Sequence, residues 1–151
     1  MKIRRCPLLF NRVISRRLIG DMKEWYTGAR ELRNMVIKNG LYGTGPVFYQ
    51  VSACEEEEGK MKFNIYLPVN VAVKFKDNDI YSYNEKMYFE DGLLLRHADL
   101  DEELELSYTL LRACAEDQGL KLKEPFYNIY LEVYGDGIID IYAPIVKEVE
   151  E

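Results

Sequence analysis

The sequence predicts an α+β fold: duplicated strand-helix-strand-strand units forming one mainly antiparallel sheet, with two helices on one face. Three observations predict it. Asn39-Gly40-Leu41 and Pro46 recur 79 residues later as Gln118-Gly119-Leu120 and Pro125. A helically spaced apolar face precedes each Gly-Leu, and a pair of alternating segments follows each proline. The 151 residues fit one domain: a first repeat over about 3–70, a linker over about 70–85 and a second repeat over about 86–147.

In chain order, Leu8 to Ser15 is the first strand. Asp21 with Glu24 resembles a capping box and Gly40 is a stop, bounding a helix over 21–39. Its buried face is Trp25, Gly28, Ala29, Leu32, Met35 and Val36. Val47 to Ala53 and Met61 to Leu67 then alternate around the acidic turn Glu55-Glu56-Glu57-Glu58-Gly59. The linker is polar and has room for one extra short strand. In the second copy a strand over about Met87 to Arg96 precedes a helix over 99–118, started by Asp99 and Glu102 and stopped by Gly119. Its face, Leu104, Ser107, Tyr108, Leu111, Cys114 and Ala115, maps onto the first at the same shift of 79, as does Arg112 onto Arg33. Phe126 to Tyr134 and Ile138 to Ala143 close the chain around Gly135-Asp136-Gly137. Because Leu67-Pro68-Val69 matches Ala143-Pro144-Ile145 at a shift of 76, the second hairpin is shorter by three residues.

A half with one helix covers one sheet face and leaves the other open. Setting Glu132 opposite Asp140 and Tyr130 opposite Tyr142 gathers Ile129, Leu131, Val133, Ile139 and Ile141 under the helix. Asn128, Tyr130, Glu132, Asp140 and Tyr142 then lie on the open face, with Tyr49, Val51, Ala53, Asn64 and Tyr66 as their counterparts in the first half. The chain holds 12 Tyr beside 6 Phe and one Trp. Tyrosine suits half-buried positions lining a cleft or an interface, so this face is the candidate ligand site: Tyr49, Tyr66, Asn128, Tyr130, Glu132, Asp140 and Tyr142. In this register the facing acids Glu132 and Asp140 repel, which favours a cationic aromatic ligand.

Charge narrows the partners. Residues 1–17 carry six basic side chains and no acid, leaving 14 basic and 26 acidic residues in the body. Such a body disfavours nucleic acid, and the basic start reads as an outer strand protected by charge. No apolar run reaches membrane-helix length and no long apolar leader segment opens the chain, so the expectation is a cytoplasmic protein without membrane contact. Cys6, Cys54 and Cys114, odd in number and without CxxC spacing, read as reduced structural thiols rather than a zinc set. Gly43-Thr44-Gly45-Pro46 is a turn before a strand rather than a phosphate loop, and Glu55 to Glu58 a solvated hairpin tip rather than a calcium loop. His97 is the lone histidine, and no nucleophile motif accompanies it. No catalytic residue, metal or cofactor is expected.

Leu93-Leu94-Leu95-Arg96-His97, Tyr108, Gln118-Gly119-Leu120 through Pro125, and Ile139-Asp140-Ile141-Tyr142-Ala143-Pro144-Ile145 together resemble the gyrase-inhibitor-like superfamily. These are effector-binding domains of bacterial multidrug regulators, also found as stand-alone proteins in Gram-positive bacteria. The resemblance implies a module that senses or sequesters a small amphipathic ligand. Two departures qualify it. Asp99 and Asp101 follow the His where the family often has Gly and an aromatic residue. Asn128, two residues before Tyr130, stands where such domains commonly carry a Glu that meets the ligand and is implicated in hydrolysis. The alternatives are a protein-interaction module acting through its acidic body and, third, a small-molecule hydrolase. Ligand identity and oligomeric state are left open.

Overall fold

The computed structural model describes residues 2–74, 76, 78, 80–98, 103–133 and 136–147. The elements are β1 (Ile3–Arg5), β2 (Leu8–Gly20), α1 (Trp25–Lys38), β3 (Phe48–Ala53), β4 (Met61–Pro68), β5 (Tyr81–Phe89), β6 (Gly92–His97), α2 (Leu104–Asp117), β7 (Tyr127–Val133) and β8 (Asp136–Pro144). This is the α+β, duplicated antiparallel class that the repeat predicts. No helix of the described residues is long and apolar enough to cross a membrane.

The chain forms two compact units, residues 9–88 and residues 1–8 with 89–151. In the first the strand order is β3-β4-β2-β5 and in the second β1-β6-β8-β7. The short basic strand at the start of the chain therefore joins the second repeat, with Ile3 opposite Leu95 and Arg5 opposite Leu93. Arg5 also holds Asp91 through a bidentate ion pair, with Nη2 2.6 Å from Oδ2. Its guanidinium keeps the Asp91 carboxyl below the usual carboxylate range. The stretch expected as one strand over Met87 to Arg96 is broken at Glu90-Asp91, and the nine-residue β5 runs from the end of the linker through Phe89.

Both helices end as expected, on Gly40 and Gly119 in the left-handed region at φ +77° and +68°. The capping box at the start of α1 does not form. Asp21 makes no side-chain cap and faces Lys60 at 3.3 Å, while a single turn of 3-10 helix over Met22–Glu24 leads into α1. The expected start signals of the second helix, Asp99 and Glu102, lie outside the described residues, as do Asp101 and Gly135.

Each helix buries the expected face: Trp25, Gly28, Leu32 and Val36 in α1, and Ser107, Leu111 and Ala115 in α2. Under α2, Leu93, Leu95, Phe126, Ile139, Ile141 and Ala143 complete a buried cluster. Equivalent positions of the two repeats are chemically exchanged. Gly28 lets α1 approach so closely that a Cβ there would stand 2.5 Å from Ile65 Cδ1. Its counterpart Ser107 instead places Oγ 2.8 Å from the buried His97 Nδ1. Gly43 bridges to Val69 beside the large Leu67, where the second repeat bridges Leu122 to Ile145 beside the small Ala143. Arg16 lies 2.5 Å from Glu31 across the sheet–helix gap, at positions that hold Leu95 and Leu110 in the second repeat.

Gly28→Val overpacks the gap between α1 and Ile65 and is expected to lower unfolding stability by about 1–3 kcal/mol, read from urea midpoints.

Candidate functional site

Strand pairing decides which side chains share a face, and the observed register is displaced by three residues from the expected one. In the second repeat Tyr127 lies opposite Tyr142, Ile129 opposite Asp140, Tyr130 opposite Ile139 and Glu132 opposite Gly137. In the first, Phe48 lies opposite Tyr66, Tyr49 opposite Ile65 and Val51 opposite Phe63. An odd displacement moves one strand of each hairpin to the other face. The expected pairs Glu132–Asp140 and Tyr130–Tyr142 are thus not formed, and the acid–acid repulsion inferred from them does not exist.

The seven candidate residues divide accordingly. Tyr49 is 1% exposed and stacks on Trp25 of α1 with ring centroids 4.5 Å apart, so it belongs to the helix-covered core. Asn128, fully buried, accepts a 2.6 Å hydrogen bond from the Tyr108 hydroxyl of α2. Tyr130 packs against the same core, and Glu132, on the same side of β7, is exposed. Tyr66, Asp140 and Tyr142 lie on the faces turned away from the helices. The physical reason for the difference is that Asn and Tyr are not solvent-facing here. Tyr108 satisfies the Asn128 side-chain oxygen, and the Asn128 and Tyr130 positions close the space beneath α2.

The helix-free face of the second unit is built around Tyr142. Its ring crosses Gly92, where a Cβ would come within 2.3 Å of the ring, and its hydroxyl donates to the Cys6 carbonyl at 2.7 Å. Phe89 lies beside it, 5.8 Å from the Tyr142 ring and 4.9 Å from Tyr127. Phe89 and Tyr127 are half-buried, whereas Tyr142 is fully buried, so the first two form the accessible rim and the third the floor. Burial pushes the Tyr127 phenol up from its ordinary value. Next along the strand, Asp140 takes a two-pronged ion pair from Arg96 at 2.8 and 3.2 Å. That carboxylate is therefore already neutralised.

The first unit repeats the plan. Phe10, Phe48 and Tyr66 form a stack with centroid spacings of 4.3 and 4.8 Å. The Tyr66 hydroxyl donates to Gln50 at 2.7 Å, and the Ser15 and Ser82 hydroxyls are 2.5 Å apart. Phe48 and Tyr127 are equivalent at the shift of 79, as are Tyr66 and Tyr142 at 76. Sequence reasoning missed Phe10, Phe48, Phe89, Tyr127 and Arg96, although an aromatic residue retained at both copies of the 48/127 position is a signal that could have found this pair. Among the described residues no group of three or more His, Cys, Asp or Glu is placed to hold a metal ion.

On the other face of the second unit, Tyr108 connects α2 to β7. Burial, relieved in part by the Asn128 bond, pushes its phenol up to about 12. A neutral phenol is favoured in the folded state, so stability is retained below the ordinary tyrosine pKa near 10 and lost as pH rises from there toward 12. Unfolding free energy is expected to drop by up to about 2–3 kcal/mol across that window. In Tyr108→Phe, denaturant unfolding followed from pH 8 to 12 should show a shallower alkaline decline.

A family model described as Domain of unknown function (DUF5085) matches residues 9–148, and the chain belongs to that family. No curated protein matches the sequence. Among solved structures, the EcmrR C-terminal domain superposes with a TM-score of 0.75 at 20% identity, covering 98% of this chain and all of that one. EcmrR in its DNA complex gives 0.69 at 19% identity over 97% of this chain, which spans 58% of that longer protein. A Listeria innocua protein described as a hydrolase gives 0.64 at 12% identity, covering 96% of this chain and 92% of that one. SAV2435 bound to tetraphenylphosphonium gives 0.50 at 11% identity, covering 97% and 94%. At these identities the likeness is one of fold.

Proposed function

We propose that this member of the DUF5085 family is a gyrase-inhibitor-like, small-molecule-binding module that senses or sequesters an amphipathic aromatic ligand on a helix-free sheet face. The observation that carries the reading is the duplicated aromatic floor, Phe48–Tyr66 in one unit and Tyr127–Tyr142 in the other, kept on the face that the helices do not cover. Phe89 and Tyr127 offer ring surface to a ligand, and the Tyr142 floor is held rigidly by Gly92 and Cys6. Aromatic contacts of this kind contribute about 0.5–1.5 kcal/mol each beyond area burial. Because Arg96 already occupies Asp140, ring contact rather than a free acid selects the ligand. The likeness of fold to the EcmrR C-terminal domain and to tetraphenylphosphonium-bound SAV2435 supports the same reading.

Hydrolysis is disfavoured by Asn128. Its amide is fully buried and bonded to Tyr108, so it supplies neither a general base nor a nucleophile at the position where the resembling family carries its acid. A protein-interaction role has one observation in its favour: Leu106 and Leu110, one turn apart on α2, are 56% and 42% exposed.

Calorimetric titration tests the preferred reading. Tetraphenylphosphonium should bind at least tenfold more tightly than tetrabutylphosphonium, which has the same charge and no rings. Tyr127→Ala should weaken the aromatic cation at least fivefold, with the Leu106→Ser/Leu110→Ser variant unchanged. Equal affinity for the two cations, or no binding of either, would reject ring recognition.

A further inference from the structure

Repeat one holds a cavity at positions whose counterparts in repeat two belong to the core under α2. The space, about 510 Å³, opens within the unit of residues 9–88, between Ile14 of β2, Met35 near the end of α1, Leu41 and Val73. The counterparts of Ile14, Met35 and Leu41 at the shift of 79 are Leu93, Cys114 and Leu120; Leu93 belongs to the buried cluster under α2, and Cys114, Leu120 and Ile3 of β1 pack against that cluster. In repeat one the strand beside β2 is β5 instead, and its first residue, Tyr81, lines the cavity rather than filling it. A volume of this size suits a small organic ligand.

The polar part of the lining is asymmetric. Asn78 Oδ1 is already committed, accepting from the backbone N–H groups of Ile80 and Tyr81 at 2.8 Å each. The carbonyls of Met35, Val36 and Ile37 at the end of α1 accept from Asn39, Gly40 and Leu41. What the wall still offers is chiefly a set of donors, the Lys74 ammonium, the Asn78 side-chain amide N–H groups and the Tyr81 hydroxyl, beside the side-chain oxygen of Asn39, whose Nδ2 donates to the Met35 carbonyl. Lys74 makes no ion pair among the described residues, and no described carboxylate lines the cavity. Apolar walls with a donor-rich, cationic rim complement an anion with a hydrocarbon body.

We propose that this cavity is a second ligand site, separate from the aromatic sheet faces, and that it takes an amphipathic carboxylate. The hydrocarbon lies against Ile14, Met35, Leu41 and Val73, and the carboxylate accepts from Lys74, Tyr81 and Asn78. The site does not depend on the aromatic-ligand reading and is tested with different probes.

The test uses full-length protein with ¹³C-methyl-labelled methionine, because Met35 reports from inside the cavity. Submicellar decanoate should shift the Met35 methyl signal saturably, and decylamine should bind at least fivefold more weakly. Lys74→Glu should weaken decanoate at least fivefold, and Ala72→Trp, a bulky change at an exposed lining position, should abolish the shift. Thermal unfolding of both variants confirms that they are folded. Tetraphenylphosphonium should not compete with decanoate. The proposal is overturned if decylamine binds as tightly as decanoate, if the Met35 signal stays unmoved at millimolar decanoate, if Ala72→Trp binds like the parent protein, or if the two probes compete.

Discussion

The placement of Tyr142 opposite Tyr127, with the Tyr142 ring lying across Gly92, is the constraint from which the chemistry of the second unit follows. With β8 fixed in that register, Ile139, Ile141 and Ala143 must face α2, and so must Asn128 and Tyr130 on the neighbouring strand. The helix then has to satisfy the polar groups delivered to it. Tyr108 meets Asn128 and Ser107 meets His97, both within hydrogen-bonding distance. A buried amide or imidazole without such a partner costs about 1–3 kcal/mol, so the register and the identities at 107 and 108 are energetically linked.

The first unit uses the same register with different solutions. Where Ser107 bonds His97, Gly28 faces Leu18 and Ile65, and close approach replaces a hydrogen bond. Where Leu95 packs, Arg16 reaches Glu31. Leu67 grows into the space that Gly43 leaves, while Ala143 yields to Leu122. At the last of these pairs a large and a small side chain exchange places, which keeps the filled volume about constant, as close packing requires. What persists in both units is the aromatic pair on the helix-free face. Packing beneath a helix does not explain that retention, and the proposed ligand recognition accounts for it.

The helices were legible in the sequence because two independent signals agreed: an apolar face at helical spacing and a stop glycine just past the C-terminal end of each. The α+β class followed from the repeat. The strand register was not legible, because alternation was read by treating Asn128, Tyr130 and Tyr49 as solvent-facing groups. Their burial depends on partners in α1 and α2 that strand periodicity cannot reveal. The pairing of Ile3–Arg5 with β6 was equally hidden, since three residues carry no periodicity and their partner lies some 90 positions away. Of the seven candidate site residues, Tyr66, Asp140 and Tyr142 lie on the proposed faces. The half-buried rings that would touch a ligand, Phe89 and Tyr127, were read as strand residues only.

The most direct test of this account is a nuclear Overhauser spectrum of the tetraphenylphosphonium complex with ring-labelled tyrosine and phenylalanine. The observed register predicts intramolecular effects from the Tyr142 ring to Phe89 and intermolecular effects from the ligand to Phe89 and Tyr127, with none to Tyr130 or Tyr49. Effects linking the Tyr142 ring to Tyr130, or the ligand to Tyr130 or Tyr49, would contradict both the pairing and the face on which the ligand is placed.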